Sequence, residues 1–354
     1  MRATRLRNAC LAAAVAVLAF APAVTAKAPR SCDHACLTAI IGQWLDALPK
    51  HSAAGLPLAK TLRFTEQAAA IPIGDGLFLS TTEGPSTFRI VAADPVSGQV
   101  AAFAMMKQWD KPVLVAVRLK IADRKIIEAE HVIATTFFPG GLENLKTPRQ
   151  ALLDDVPAAE RTPRAQMWAA ANAYFDSIEQ DDGSIAPFAD DCTRHENGGQ
   201  TTTNAKPVPP PAGFGTPQTA DAVAHMNTLN CRDQLNTHVL QYITMIRPRM
   251  LLVIDEQKGL VFGFPRFVHR GDNRLMKIAG VAGLDVLPMD FGPVDLQAAE
   301  LFKIRAGKIH EIEANGFLNA YRAPTGWEDR YSETYKYAVT HPNTHPYRAG
   351  TKYP

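Results

Sequence analysis

Two stretches of the chain place apolar residues three and four positions apart, the pattern of a helix with one buried face. They read CLTAIIGQWLDAL and RAQMWAAANAYFDSIE. After each comes a turn containing Gly and Pro, and then a short strand-like segment that ends in Glu, at Glu66 and Glu196. The pattern predicts two copies of one unit, each a helix followed by a strand.

The similarity between the two copies continues along the chain, which indicates an internal repeat. The offset between matching residues grows from 130 to 161 and then to 183, so the second copy contains insertions of 31 and 22 residues. The later segments predict antiparallel hairpins, each a strand, a tight turn and a strand. The matching segments are 44–67 with 174–197, 94–106 with 255–267, and 119–130 with 302–313.

The repeat predicts a first half over 27–150 and a second half over 151–330, followed by a C-terminal tail at 331–354. The two insertions fall at about 198–232 and 270–293. Irregular segments of this length inside a compact domain are typical of lids and binding loops.

The N-terminus is typical of an export signal. Arg2, Arg5 and Arg7 precede an apolar run, and the small residues of VTA supply a cleavage site after residue 26. The alternative is a membrane anchor, which Pro22 disfavours because it breaks a run already short for a bilayer. We therefore expect a periplasmic or secreted protein with no stable membrane insertion after cleavage.

Composition and missing motifs exclude several functions. A formal net charge of +2, without a basic stripe, argues against nucleic-acid binding. The chain has no Gly-rich dinucleotide loop, P-loop, HExxH or GxSxG motif, which argues against nucleotide cofactors and serine-hydrolase chemistry. We expect no cofactor and no metal.

Four cysteines remain after the signal segment, an even number in an oxidising compartment. Four cysteines allow three pairings, and the sequence alone does not choose among them. The preferred pairing is Cys32–Cys36 with Cys192–Cys231, because each pair brackets one local segment. A zinc site is the alternative, although the spacing lacks two compact ligand pairs.

Seven segments of the chain carry a resemblance to a known family: CLTAIIGQWLDAL, LPLAKTLRFTE, ANAYFD, PFADDCTRHENGGQTT, IRPR, AELFKIRAGKI and TGW. With them the chain resembles a family of secreted fungal and bacterial proteins of unknown function, built from two SnoaL-like (nuclear transport factor 2-like) halves. The resemblance implies an α+β fold of two tandem cone-shaped barrels, in which a curved antiparallel sheet wraps around helices and the halves form an internal pseudo-dimer. The family has Glu-Asn-Gly in both halves, whereas the first half here has Glu66-Gln67-Ala68.

The fold class suggests a cofactor-independent enzyme whose buried carboxylate performs acid–base chemistry on a small apolar or aromatic molecule, as a lyase, an isomerase or an epoxide or ester hydrolase. The alternative is a secreted protein that only binds a small hydrophobic ligand, and a third option is an assembly module. A homodimer is left open.

The candidate site centres on Glu196, because alternate residues of a strand share a face and Arg194 then points the same way. We cast Glu196 as the base, with Arg194 stabilising developing negative charge. The structural alternative is that Glu66 and Glu196 fix turns, since a duplicated fold keeps structural residues in both copies. The other candidates are His269 or Tyr174 as proton donor, and Asn197, Arg249 and Glu66 in substrate binding.

Overall fold

The computed structural model describes residues 31–210, 215–289 and 292–330. The predicted export signal at 1–26 and the tail at 331–354 lie outside these ranges. None of the described helices is long and apolar enough to cross a membrane.

Two long helices begin the two halves, α1 at His34–Ala47 and α4 at Arg164–Gln180. Both buried stripes follow the predicted spacing, and they include the matched residues Trp44 and Tyr174. Short helices are α2 (Leu77–Ser80), α3 (Gly141–Asn144), α5 (Ala220–Met226) and α6 (Cys231–Asn236).

The first half forms a seven-stranded sheet with the order β2-β1-β7-β6-β5-β3, and β4 pairs with β5. Its strands are β1 (Leu58–Glu66), β2 (Ala69–Ala70), β3 (Thr81–Glu83), β4 (Arg89–Asp94), β5 (Gln99–Gln108), β6 (Lys111–Ala122) and β7 (Lys125–Ala134).

The second half forms an eight-stranded sheet with the order β10-β13-β16-β17-β8-β9, to which β12 and β11 are added through β16. A separate hairpin, β14-β15, lies in the second insertion. The strands are β8 (Phe188–Glu196), β9 (Gly199–Gln200), β10 (Met245–Ile246), β11 (Leu251–Asp255), β12 (Leu260–Gly263), β13 (Arg266–His269), β14 (Leu275–Lys277), β15 (Val286–Pro288), β16 (Val294–Arg305) and β17 (Lys308–Ala320).

The protein is therefore α+β, with two curved sheets, but the expected purely antiparallel sheets are wrong. Each sheet is mixed, because the strand after the long helix pairs in parallel with the last strand of its own half. Thus β1 lies parallel to β7, and β8 lies parallel to β17. The chain passes through the rest of the half between these two strands, so both run in the same direction when they meet.

The two sheets pack against each other through a shared apolar core that includes Phe103, Phe262 and Trp327. The polar contacts across it are reciprocal. The Asp94 carboxylate accepts the N–H of Ile254 at 3.1 Å, and the carboxylate of its counterpart Asp255 accepts the N–H of Ala93 at 3.0 Å. Matched positions thus exchange the same contact, as in an interface with two-fold symmetry.

Candidate functional site

A cavity lies inside the second half, between its sheet and residues 201–244. These residues replace the short connection between β2 and β3 in the first half, and they supply Leu240, Tyr242 and Ile243 to the wall. These three wall residues lie beyond the predicted boundary of the first insertion at about 232.

The cavity has an apolar wall and a polar wall. It encloses about 400 Å³ between protein atoms, counting the part that is open to solvent. The apolar side chains are Ile178, Leu240, Ile243, Phe267, Leu296, Ala298 and Ala314. The polar ones are Arg194, Glu196, Tyr242, His269, Glu300 and Asn315.

The matching space in the first half is filled by aromatic rings. Trp44 packs edge-on against Phe64 and Phe78 with ring centroids 5.8 and 5.3 Å apart, and Phe64 lies 4.9 Å from the ring of His131. The two halves thus share the same arrangement of long helix and strands, but aromatic side chains fill the space in the first half that is open in the second.

Strand register identifies the replacements that open the cavity. In the first half Glu66 lies opposite His131, which lies opposite Val117 on β6. In the second half Glu196 lies opposite Ala314, which lies opposite Glu300 on β16. Arg194 stands at the position of Phe64. Ala314 stands in place of His131, so an imidazole ring is missing from the second half. Arg194 and Glu300 introduce ionisable side chains at positions that are apolar in the first half.

Glu66 is held in a closed network. The indole Nε1 of Trp44 donates to Nε2 of His131 at 2.8 Å, and Nδ1 of His131 lies 3.0 Å from Oε2 of Glu66. Because an indole N–H only donates, Nε2 is the acceptor and Nδ1 carries the proton toward Glu66. The same carboxylate accepts the N–H of Leu77 at 3.0 Å, which orders α2. The predicted substrate contact at Glu66 therefore lies in the first half, away from the cavity.

Glu196 has a different partner. Its Oε2 accepts a hydrogen bond from Nη2 of Arg194 at 2.6 Å, and Nη1 of Arg194 donates to the hydroxyl of Thr201 at 3.2 Å. Burial disfavours the charge on Arg194, but the Glu196 carboxylate beside it helps to hold the pKa of the guanidinium above the ordinary value. Arg194 therefore stays charged and orients the Glu196 carboxylate.

Two further predicted residues lie near this pair. His269 lines the cavity and stacks on Tyr242 with ring centroids 5.3 Å apart, and burial lowers the pKa of His269 to about 4. The hydroxyl of Tyr174 is buried close to Arg194, and burial raises its pKa above the ordinary value. Near neutral pH both side chains are uncharged.

Asn197 and Arg249 do not line the cavity. Oδ1 of Asn197 accepts the N–H of Gly316 at 3.0 Å, and Oε1 of its counterpart Gln67 accepts the N–H of Ile133 at 2.7 Å, so both halves use this side chain to join two strands. Arg249 forms ion pairs beneath α4, with Glu179 at 3.0 Å and Asp176 at 2.7 Å.

Glu300 was missed by the sequence interpretation. It is 2% exposed, it lines the cavity, and burial raises the pKa of its carboxyl group to about 8, against the opposing effect of Arg194. Alternation along β16 could have found it, because Glu300 shares a strand face with the buried Ala298 and Phe302. A single carboxyl group on an apolar strand face is a useful signal of a site.

The disulfides follow the preferred pairing. Cys192 joins Cys231 with Cα atoms 5.7 Å apart, and Cys32 joins Cys36 with Cα atoms 5.3 Å apart. The first fastens the insertion to β8. Within residues 31–210, 215–289 and 292–330, no group of three or more His, Cys, Asp or Glu side chains is arranged to hold a metal ion.

Comparisons with known proteins assign no reaction to this site. Residues 160–316, which contain the cavity, match the model of a domain of unknown function (DUF8021). No curated protein matches the chain. Among solved structures, it is similar to AclR, a putative hydroxylase from Streptomyces galilaeus, with 14% sequence identity, a TM-score of 0.25, and coverage of 44% of this chain and 81% of that chain. A likeness of this size carries no argument about function.

Proposed function

We propose that the cavity of the second half is the site of a cofactor-independent enzyme that performs acid–base chemistry on a small apolar or aromatic molecule. Glu196 acts as the base, and the reaction is a lyase, isomerase or epoxide or ester hydrolase step. The observation that supports this proposal is the replacement of Phe64, His131 and Val117 by Arg194, Ala314 and Glu300. A fold that needed only packing would have kept the aromatic filling of the first half.

The surroundings of each group support the roles. Arg194 holds the Glu196 carboxylate through one oxygen at 2.6 Å, which fixes the direction of the other oxygen for proton abstraction. His269 and Tyr174 are the proton donors that the sequence suggests, but with a pKa of about 4 the imidazole of His269 carries no extra proton to donate near neutral pH. Glu300, with a pKa of about 8, holds a proton in that range and is the better donor.

The proposal includes the finer fold assignment. We infer that each half is a SnoaL-like cone and that the two form an internal pseudo-dimer, in which the first half has a structural role. The closed Trp44–His131–Glu66 network and the reciprocal contacts of Asp94 and Asp255 support this arrangement. We also propose export to the periplasm or the medium, which the two disulfides favour.

The test compares matched variants of the two halves. Purified wild type, Glu196→Gln and Glu66→Gln are each incubated with a metabolite extract, and consumed and formed compounds are identified by mass spectrometry. We expect turnover by wild type and by Glu66→Gln, and a loss of at least about a hundredfold in Glu196→Gln, the size of a general-base contribution. Equal turnover by wild type and Glu196→Gln would reject Glu196 as the base.

The alternative is a secreted binding protein for a small hydrophobic ligand. The Arg194–Glu196 ion pair favours it, because the 2.6 Å contact occupies one oxygen of the carboxylate that would act as the base. In that case a ligand is retained from the extract by wild type and by Glu196→Gln alike, and no compound is converted. Native mass spectrometry on the same samples separates the two outcomes.

A further inference from the structure

One buried carboxyl group in the cavity is left over once the ion pair of Arg194 and Glu196 has formed. The two terminal nitrogens of Arg194 donate to Glu196 at 2.6 Å and to Thr201 at 3.2 Å. Oε2 of Glu300 is fully buried and accepts no hydrogen bond from the part of the chain that the structure describes. Two carboxyl groups therefore share the cavity with one guanidinium.

Charge balance decides the protonation of the two carboxyl groups. A second unpaired negative charge in this apolar space would be costly, so the carboxyl group without a partner keeps its proton. Burial raises the pKa of Glu300 to about 8, Arg194 opposes the rise, and Glu196 adds to it. The titratable and charged side chains that face Glu300 come from β8, α4, β13 and the first insertion: Arg194, Glu196, Tyr174, His269 and Tyr242.

The repeat argues that the fold itself does not need Glu300. Its counterpart Val117 occupies the same register position on β6, and the first half packs there without a carboxyl group. Glu66, in contrast, is present in both halves. A polar group that appears in only one copy, buried and without a hydrogen-bond donor, is better explained by a ligand than by the fold.

We propose that the cavity selects an uncharged carbonyl compound, whose oxygen accepts a hydrogen bond from the protonated carboxyl group of Glu300. This inference rests on the proposed use of the cavity as a ligand site. Among the described side chains that line the cavity, Arg194 is the one Arg or Lys, and its ion pair with Glu196 leaves no second cation there to bind a carboxylate ligand. The apolar wall formed by residues such as Phe267 and Leu296 accepts the hydrocarbon part.

The chemistry of such a ligand fits the two glutamates. Glu196 removes a proton from the carbon next to the carbonyl group, the electrons of that C–H bond form a C=C bond, and the carbonyl π electrons move onto the oxygen. The hydrogen bond from Glu300 stabilises the negative charge on that oxygen. Where the compound carries a further C=C bond conjugated to the enolate, Glu196 returns the proton to the far carbon of that bond. The electrons on the oxygen re-form the C=O bond and the C=C bond has moved, so an isomerisation is completed without any co-reactant.

The test uses two ligands of almost equal shape, acetophenone and benzoate, with binding measured by ligand-observed NMR at about pH 6 and about pH 10. We expect wild type to bind acetophenone at least about tenfold more tightly than benzoate at the lower pH. Binding of acetophenone should weaken about tenfold at the higher pH, where Glu300 has lost its proton. One hydrogen bond to a buried group accounts for a change of this size.

Substitutions at Glu300 separate the hydrogen bond from the fold. Glu300→Gln keeps a donor at every pH, so its affinity for acetophenone should stay within about threefold of wild type at the lower pH and lose the pH dependence. Glu300→Leu should bind acetophenone about tenfold more weakly at the lower pH. Glu313→Gln is the matched control, because Glu313 is another buried glutamate of the same half that does not line the cavity.

Three results would overturn the inference: benzoate binding as tightly as acetophenone, Glu300→Leu binding like wild type, or neither ligand binding to wild type. The catalytic proposal fails separately. If Glu196→Gln converts metabolites as fast as wild type while acetophenone binding still depends on Glu300, the proposed base is wrong and the ligand class stands.

Discussion

At the scale of single residues, the two halves differ most where their strands meet under the long helix. His131 accepts the indole hydrogen bond of Trp44 and donates to Glu66, whereas Ala314 leaves the same position open in the second half. The imidazole ring of His131 therefore completes the network in the first half, and its absence at Ala314 leaves space in the second half. The contrast explains why the cavity lies in the second half.

Replacing His131 by Ala should destabilise the protein by about 2–4 kcal/mol, because it leaves a cavity and deprives the buried Trp44 N–H of its acceptor. The free energy of unfolding in urea measures this loss. The matched control is Ala314→Leu, which adds a side chain where space is open and should cost less than about 1.5 kcal/mol. A loss below about 1 kcal/mol for His131→Ala would contradict the structural role of the first-half network.

At the scale of elements, the two halves differ most in the segment at 201–244, which supplies part of the cavity wall in the second half. Residues 71–80 connect β2 to β3 in the first half, with Phe78 of α2 packed on Trp44. The longer second-half segment carries α5 and α6 and is tied to β8 by the Cys192–Cys231 disulfide. It supplies Tyr242, which stacks on His269 at the cavity wall.

Removing the Cys192–Cys231 disulfide with two alanines should cost about 4 kcal/mol, because the bond closes a loop over a sequence separation of 39. Removing Cys32–Cys36, with a separation of 4, should cost about 2 kcal/mol. Limited proteolysis should cut residues 201–244 faster only in the first variant. Equal cutting in both variants would mean that the disulfide does not hold the insertion.

At the scale of the whole molecule, reciprocal contacts join the halves into one cooperative unit. Arg164 donates to both oxygens of Asp94 at 2.8 and 2.6 Å, and at the matched position His34 lies 2.9 Å from Asp255. Burial alone would raise the pKa of Asp94, but hydrogen bonds from Arg164, Ser97 and Ile254 hold it below the usual 3.8. The charged form of Asp94 thus stabilises the folded state.

We expect one calorimetric unfolding transition for the entire protein, since the apolar core between the sheets is shared. Asp94→Asn should cost about 2–3 kcal/mol near neutral pH, because it removes a buried carboxylate from its ion pair with Arg164, whose own side chain is partly exposed and screened by solvent. A lowered pKa adds stability above the unfolded-state value, and this stability is lost as the pH falls below about 3.8, so the cost should shrink there. Two separate transitions in wild type would contradict the shared core.

The sequence predicted an α+β protein with two sheets, the two long helices and the hairpins, because these depend on local periodicity and on the repeat. It also placed Arg194 and Glu196 on one strand face, and their side chains do meet. It failed for Asn197 and Arg249 as lining residues, because hydrogen bonds to Gly316 and ion pairs under α4 draw these side chains away from the cavity.

What the sequence by itself determined is therefore the set of elements and the repeated Glu, since period and spacing are properties of neighbouring residues. Only the tertiary structure decided that the sheets are mixed and that Glu300 and Ala314 lie beside Glu196, from more than a hundred residues away along the chain. Strand register sets those neighbours, and register depends on which strands pair. The local sequence pattern does not contain that information, so only the fold identifies the residues that line the cavity.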